Sequence, residues 1–263
     1  MEYGVNVLSV LPVRKEPDHR SEMVNQLLFG EQFFVNEESG DWINIRGALD
    51  NYSGWISSGT SIPLGDPPVV GDPDPGEIIS QPVRVYPADT PESSFLILPG
   101  STLPMLDREK GEFILGKMRY KVHGAITVDS VSCSPGKLVQ TALLFLNAPY
   151  LWGGRSYFGI DCSGLAQLVY KICGISLPRD ASQQVLLGDS ISFATDAEPG
   201  DLAFFAEEEE EISHVGIILN KNHIIHASGK VRIDNFDHQG IYQKEKQKYS
   251  HVLRVIRKYL PAS

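Results

Sequence analysis

Apolar positions recur with two different periods along this chain. Up to residue 62, short apolar runs at 5–11, 32–36, 42–46 and 55–57 alternate with turn residues, among them Phe29-Gly30, Ser39-Gly40-Asp41 and Ser53-Gly54. Short runs broken by glycine, serine and aspartate predict about five strands, closing as a small barrel over 1–62. Residues 63–77 hold five prolines and three glycines, which predicts a stiff, extended linker. Short runs resume at 83–86, 95–98, 113–115 and 121–126, so 78–132 reads as a second, more divergent small barrel with no motif of its own.

From residue 133 the period lengthens. Ser134-Pro135 is a helix start, with serine as cap and proline in the first turn. Leu138, Ala142 and Phe145 share one face of that helix, which ends by 147–149. A second helix starts after Asp161, where Cys162, Leu165, Leu168, Val169 and Ile172 fall three and four residues apart. Strands follow at 201–206, 213–219, 223–227 and 252–256, with Asn220-Lys221-Asn222 as a short turn. The acidic run 207–211 reads as a solvated hairpin loop, and it has no assigned function. Helices followed by a run of strands predict an α+β domain over 133–263, helices packed on an antiparallel sheet.

Composition narrows the classes. At 263 residues and 42% hydrophobic, the chain can build one large domain or two to three small ones. A net charge of -10 argues against nucleic acid or an anionic membrane surface as the main partner. Three cysteines imply no disulfide framework and fit a reducing compartment. No apolar stretch approaches a membrane span, and Met1-Glu2-Tyr3 opens no signal peptide. The expected location is the cytoplasm, the alternative being export with a signal sequence absent from this chain.

Chemistry concentrates around Cys162. The glycine-rich loop 150–160 leads into Asp161, a helix N-cap, and then the thiol in the first turn. The positive end of the helix dipole there favours thiolate, the nucleophilic form. A thiol nucleophile needs a base, and the base needs a group to orient it. His214 and His226 lie on neighbouring predicted strands, where side chains of one face come within about 5 Å, so one ring can act as base and the other as orienter. His223 points to the opposite face, and His19, His123, His238 and His251 stand outside any such constellation. Cys162, His214 and His226 lack the tight local spacing of zinc ligands, and Cys133 and Cys173 form no Cys-x-x-Cys pair, so no metal or cofactor is expected.

Several of these stretches carry a resemblance. Tyr150-Leu151-Trp152-Gly153-Gly154, Asp161-Cys162-Ser163-Gly164, Gly200-Asp201-Leu202, Ser213-His214-Val215-Gly216 and His226-Ala227-Ser228 resemble, in order, the motifs of the NlpC family of papain-like cell-wall cysteine peptidases. Val13-Arg14-Lys15-Glu16-Pro17, Gly40-Asp41-Trp42 and Asp50-Asn51-Tyr52-Ser53-Gly54-Trp55-Ile56 resemble the bacterial SH3-like family. Two SH3-like domains before such a peptidase are similar to the YkfC-like branch, γ-D-glutamyl-L-diamino-acid endopeptidases that cut peptidoglycan stem peptides. The resemblance implies Cys162 as nucleophile, His214 as general base and acid, and His226 as orienter. It implies an oxyanion site from Tyr150 and the Cys162 N–H. It implies Asp161, Ser163 and Ser182 around L-Ala-γ-D-Glu, with Glu16 and Tyr52 reaching over the cleft. The expected reaction is release of L-Ala-γ-D-Glu from peptides with a free N-terminal L-Ala, in cell-wall recycling, by a monomer. The alternatives are an amidase or acyltransferase on the same scaffold, or a retired peptide-binding protein.

Overall fold

The structure, a computed structural model, describes residues 3–65, 76–124, 133–206 and 211–260. Most of the linker expected at 63–77, the end of the run 121–126, and residues 207–210 of the acidic run lie outside the described residues. The chain forms two compact units, Met1–Ser130 with Gly153–Ser156, and Val131–Trp152 with Tyr157–Ser263.

The first unit opens with β1 (Tyr3–Asn6), β2 (Val10–Arg14), β3 (Met23–Leu28), β4 (Gln32–Ser39), β5 (Trp42–Gly47), β6 (Ser53–Ser57) and β7 (Ser61–Gly65). They join as one antiparallel sheet in the order β3-β2-β6-β5-β4-β1-β7. Leu11, Val13, Leu27, Phe33, Ile45 and Ile56 fill it. The run expected as one strand over 5–11 is broken. The Asn6 side chain accepts from Leu8 N at 2.9 Å and donates to Leu8 O at 3.0 Å, closing a turn between β1 and β2. Strands β8 (Glu77–Ile78), β9 (Val83–Pro87), β10 (Phe95–Ile97), β11 (Thr102–Leu103), β12 (Glu112–Leu115) and β13 (Met118–His123) follow. They form a four-stranded sheet, β10-β9-β13-β12, and the pair β11-β8. Val5 and Phe29 of the first module enter the core of the second, and Phe29 lies edge-on to Phe113 and Tyr120.

Gly153–Ser156, which includes the two-residue strand β14 (Arg155–Ser156), belongs to this first unit. Arg155 is 1% exposed and meets both carboxylate oxygens of Glu31 at 3.0 Å. It also donates to Gln26 O at 2.6 Å, while its backbone N–H reaches Gln26 Oε1 at 2.8 Å.

In the second unit, α1 (Pro135–Leu143) is capped by Ser134 as expected, and Leu138, Thr141 and Ala142 form its buried face. Beyond β15 (Gly159–Ile160), Asp161 caps α2 (Cys162–Ile172) by accepting from Gly164 N. All of α2 is buried, not one stripe alone, because α1 flanks it on one side and the sheet on another. A short α3 (Ala181–Gln184) and β16 (Asp189–Ile191) follow.

The sheet comprises β17 (Leu202–Phe205), β18 (His214–Asn220), β19 (His223–Ser228), β20 (Lys230–Phe236), β21 (Gly240–Gln243) and β22 (Lys248–Lys258). Its order is β16-β22-β17-β18-β19-β20-β21, and β21 also pairs with β22. The expected antiparallel sheet is therefore closed into a six-stranded barrel. The reason is the length of β22. Its first half pairs with β21 and its second half with β17. Gly240 permits the closure: at φ 142, a Cβ there would sit 1.9 Å from His251 O. Ala203, Phe205, Ile218, Ile224, Phe236, Ile241 and Ile256 pack together as the barrel core.

Candidate active site

The inward rows of the barrel carry the polar site. Period-two alternation puts His214 in line with Ile218, His226 with Ile224, and Asp234 with Phe236. In the ladder, His226 is paired with Gly216 and is diagonal to His214. The glycine leaves room for the ring, since a Cβ would lie 2.7 Å from Ile224 Cδ1 and 3.1 Å from His226 Cβ.

His214 Nε2 and His226 Nδ1 are 2.8 Å apart. His226 Nε2 lies 3.0 Å from Asp234 Oδ2, and Arg232 donates to Asp234 Oδ1 at 2.7 Å. Burial alone would raise the Asp234 pKa. Hydrogen bonds from His226 and Arg232 outweigh it and hold the carboxyl below its ordinary value. A carboxylate on His226 Nε2 fixes the proton on that atom, so Nδ1 accepts from His214 Nε2–H. That leaves His214 Nδ1 as the nitrogen able to accept a proton. Burial, then the neighbouring His251 and His226, lower the His214 pKa well below the usual value, so the ring is neutral at pH 7.

The thiol stands at the start of α2. Cys162 Sγ points at the carbonyl of Ser213, the residue before His214, at 4.0 Å. The dipole argument predicts a depressed thiol pKa, and the structure reverses that. Burial first, then the Asp161 charge, push Cys162 up to about 11, while backbone N–H groups of Val215 and Ser163 offset only part of it. With these shifts the Cys162 thiol and the His214 imidazole both rest neutral.

Tyr150 is half-buried, and burial, followed by the Cys162 and Asp161 charges, pushes its hydroxyl up to about 12. It is a phenol, a hydrogen-bond donor, across the working pH range. Asp161 is buried against Arg179, whose Nη1 and Nη2 reach its two oxygens at 3.0 and 2.5 Å. Arg179 Nη1 also meets Ser163 Oγ at 2.8 Å. Ser182 lies exposed on α3. In the first unit Glu16 is exposed and Tyr52 half-buried.

Three groups of the candidate site escape the sequence reading. Arg179 and Asp234 bind residues already singled out, and the signal for Asp234 is a carboxylate in phase with Phe236 on a barrel strand. His251, expected to stand alone, stacks on His214 with ring centroids 4.1 Å apart and lies edge-on to His226. Barrel closure brings it there from β22. Its pKa is pushed down to about 4, by burial and then by His226. One nitrogen from each of His214, His226 and His251 lies within 4.8 Å of the others, a grouping able to hold a metal ion. Cys133 and Cys173 are also neighbours. Cys133 is pushed up to about 12, by burial and then by Cys173.

A sequence model described as the NlpC/P60 family matches residues 147–251, and one described as a bacterial dipeptidyl-peptidase Sh3 domain matches residues 13–59. A γ-D-glutamyl-L-lysine dipeptidyl-peptidase of Bacillus subtilis is 31% identical over 215 residues, 77% of this chain and 71% of the relative. Dipeptidyl-peptidase 6 of Lysinibacillus sphaericus is 28% identical over 249 residues, 85% of this chain and 88% of the relative. The crystal structure of a NlpC/P60 family protein from Bacillus cereus shares the fold, with a TM-score of 0.81 at 20% identity over 98% of this chain and 100% of that one.

Proposed function

We propose, on the premise that this chain belongs to the NlpC/P60 family of cysteine peptidases, hydrolases of peptidoglycan peptides, that it cuts the γ-D-glutamyl–L-diamino acid bond of released stem peptides. The observation that carries this reading is the buried chain from His214 through His226 to Asp234, beside the carbonyl against which the Cys162 thiol lies.

In this reading Cys162 is the nucleophile and His214 the base. As Sγ attacks the amide carbonyl, its proton passes to His214 Nδ1, and the new imidazolium is stabilised through His226 by the Asp234 charge. The Cys162 N–H and the Tyr150 hydroxyl donate to the oxyanion. Collapse of the tetrahedral intermediate breaks the C–N bond, and His214 returns the proton to the leaving diamino acid. Water, deprotonated by the same nitrogen, then hydrolyses the thioester and frees L-Ala-γ-D-Glu. Because thiol and imidazole start neutral, the charges form only as the bond forms.

For the substrate, the family resemblance assigns Asp161, Ser163 and Ser182 to the L-Ala-γ-D-Glu part, and marks Glu16 and Tyr52 as further candidates for it. We take 1–62 and 78–132 as two SH3-like domains, 63–77 as their linker and 133–263 as the peptidase. The protein acts as a cytoplasmic monomer on peptides already released from the wall. The names of the related dipeptidyl-peptidases of Bacillus and Lysinibacillus support the cleavage reaction, and the location, the monomer and the recycling role are part of the proposal. The test compares kcat/KM on free L-Ala-γ-D-Glu-L-Lys, its N-acetyl form and intact peptidoglycan. Losing a charge-assisted contact costs about 1.5–3 kcal/mol, so acetylation should lower kcat/KM roughly 10- to 150-fold. Equal rates on all three would remove the recycling reading.

A further inference from the structure

We propose that His214, His226 and His251 form a site for a divalent cation of zinc's class, and that filling it switches the peptidase off. The rings come from β18, β19 and β22, and their ligand nitrogens lie within 4.8 Å of one another. Two outer nitrogens already have the partners that metal-bound imidazoles require. His226 Nε2 lies 3.0 Å from the Asp234 carboxylate, and His251 Nδ1 lies 2.8 Å from Ser250 Oγ. This leaves His226 Nδ1, His251 Nε2 and His214 Nε2 for the cation. Phe205 packs against both His214 and His251, walling the cluster with an apolar ring.

Three imidazoles with a fourth position open are a zinc donor set, and an all-nitrogen set disfavours magnesium and calcium. At Zn–N distances of about 2.0–2.1 Å, two ligands on a tetrahedral ion sit about 3.3 Å apart. His214 Nε2 and His226 Nδ1, now at 2.8 Å, need to part by about 0.5 Å. His251 is half-buried, and closing from 4.8 Å asks at most about 1.5 Å of its side chain.

The proton balance explains the inhibition. The proton on His214 Nε2 must leave the gap between the rings before that nitrogen can ligate. It moves, through solvent, to His214 Nδ1, with no net release. The atom that would accept the thiol proton is then itself protonated. This consequence rests on His214 being the base, whereas the binding does not.

Calorimetric titration of the full chain with zinc chloride, repeated with cobalt(II) followed by absorption, tests the site. Three variants are compared: Cys162→Ala, His251→Phe, which keeps a ring against His214, and the distant His223→Ala. Cys162→Ala and His223→Ala should bind like the parent. The cobalt complex should show ligand-field bands without sulfur charge transfer. His251→Phe should bind at least roughly tenfold more weakly. Zinc should also stop hydrolysis by the parent over the same concentration range. Undiminished binding by His251→Phe would overturn the site, as would binding lost in Cys162→Ala, which would mark an ordinary thiolate–imidazole zinc complex. Tight binding in Cys162→Ala with unimpaired hydrolysis in the parent would overturn the inhibitory half alone.

Discussion

Replacing Asp234 with asparagine isolates what the far end of the histidine chain contributes. Asp234 is 7% exposed, its Oδ2 lies 3.0 Å from His226 Nε2, and Arg232 donates to Oδ1 at 2.7 Å. The substitution keeps the shape and removes the charge that stabilises the imidazolium. One charge-assisted hydrogen bond is worth about 1.5–3 kcal/mol, or roughly 10- to 150-fold in rate. A second effect adds to this. An amide that turns its N–H₂ toward His226 Nε2 moves the His226 proton to Nδ1. His214 must then carry its own proton on Nδ1 and cannot take one from the thiol. A wrong tautomer in a serine triad costs about 10⁴-fold, which sets the upper bound. The expected outcome for Asp234→Asn is a kcat about 10²-fold lower with KM within about twofold, since Asp234 is buried and acts through His226. Steady-state kinetics on the free tripeptide measures it, and a melting curve checks that the variant folds. A folded Asp234→Asn enzyme with parental kcat would refute the relay.

The same chemistry fixes the pH profile. A base lowered well below the ordinary histidine range and a thiol pushed up to about 11 stay neutral together, so kcat/KM should be flat from below about pH 6 to beyond about pH 9. A preformed thiolate–imidazolium pair would instead lose activity on the alkaline side, as the imidazolium deprotonates. Gly216→Ala should push His226 and Ile224 apart, costing about 1–3 kcal/mol of stability and lowering kcat more than KM. Glu31→Ala should remove the buried carboxylate whose two oxygens meet the Arg155 guanidinium. The cost is about 3–5 kcal/mol, seen as a melting temperature lower by about 6–20 °C. A Glu31→Ala protein that melts with the parent would show that the pair contributes nothing.

What could be read from the chain alone follows how local each cause is. Ser134 and Asp161 cap their helices through contacts three residues away, and both caps are visible as sequence. His214 and His226 meet across one hairpin, so period-two alternation was enough to pair them. Asp234 sits one strand further on, in a strand that the apolar pattern of 230–236 does not announce. His251 reaches His214 only because β22 closes the barrel, and nothing near residue 251 signals that closure. The thiol pKa went the other way for the same reason. The helix dipole is a local property and visible in sequence. The burial that outweighs it comes from packing all around α2. In the first unit, the turn that Asn6 closes between β1 and β2 is invisible to hydropathy, because Val5, Val7 and Leu8 are all apolar.

The most direct measurement is mass spectrometry of L-Ala-γ-D-Glu-L-Lys incubated with the parent protein and with Cys162→Ala. The expected products with the parent are L-Ala-γ-D-Glu and free lysine, with the tripeptide left intact by a folded Cys162→Ala protein. Cleavage at the L-Ala–D-Glu bond, no cleavage by the parent, or equal turnover by Cys162→Ala would contradict a γ-D-glutamyl peptidase working through that thiol.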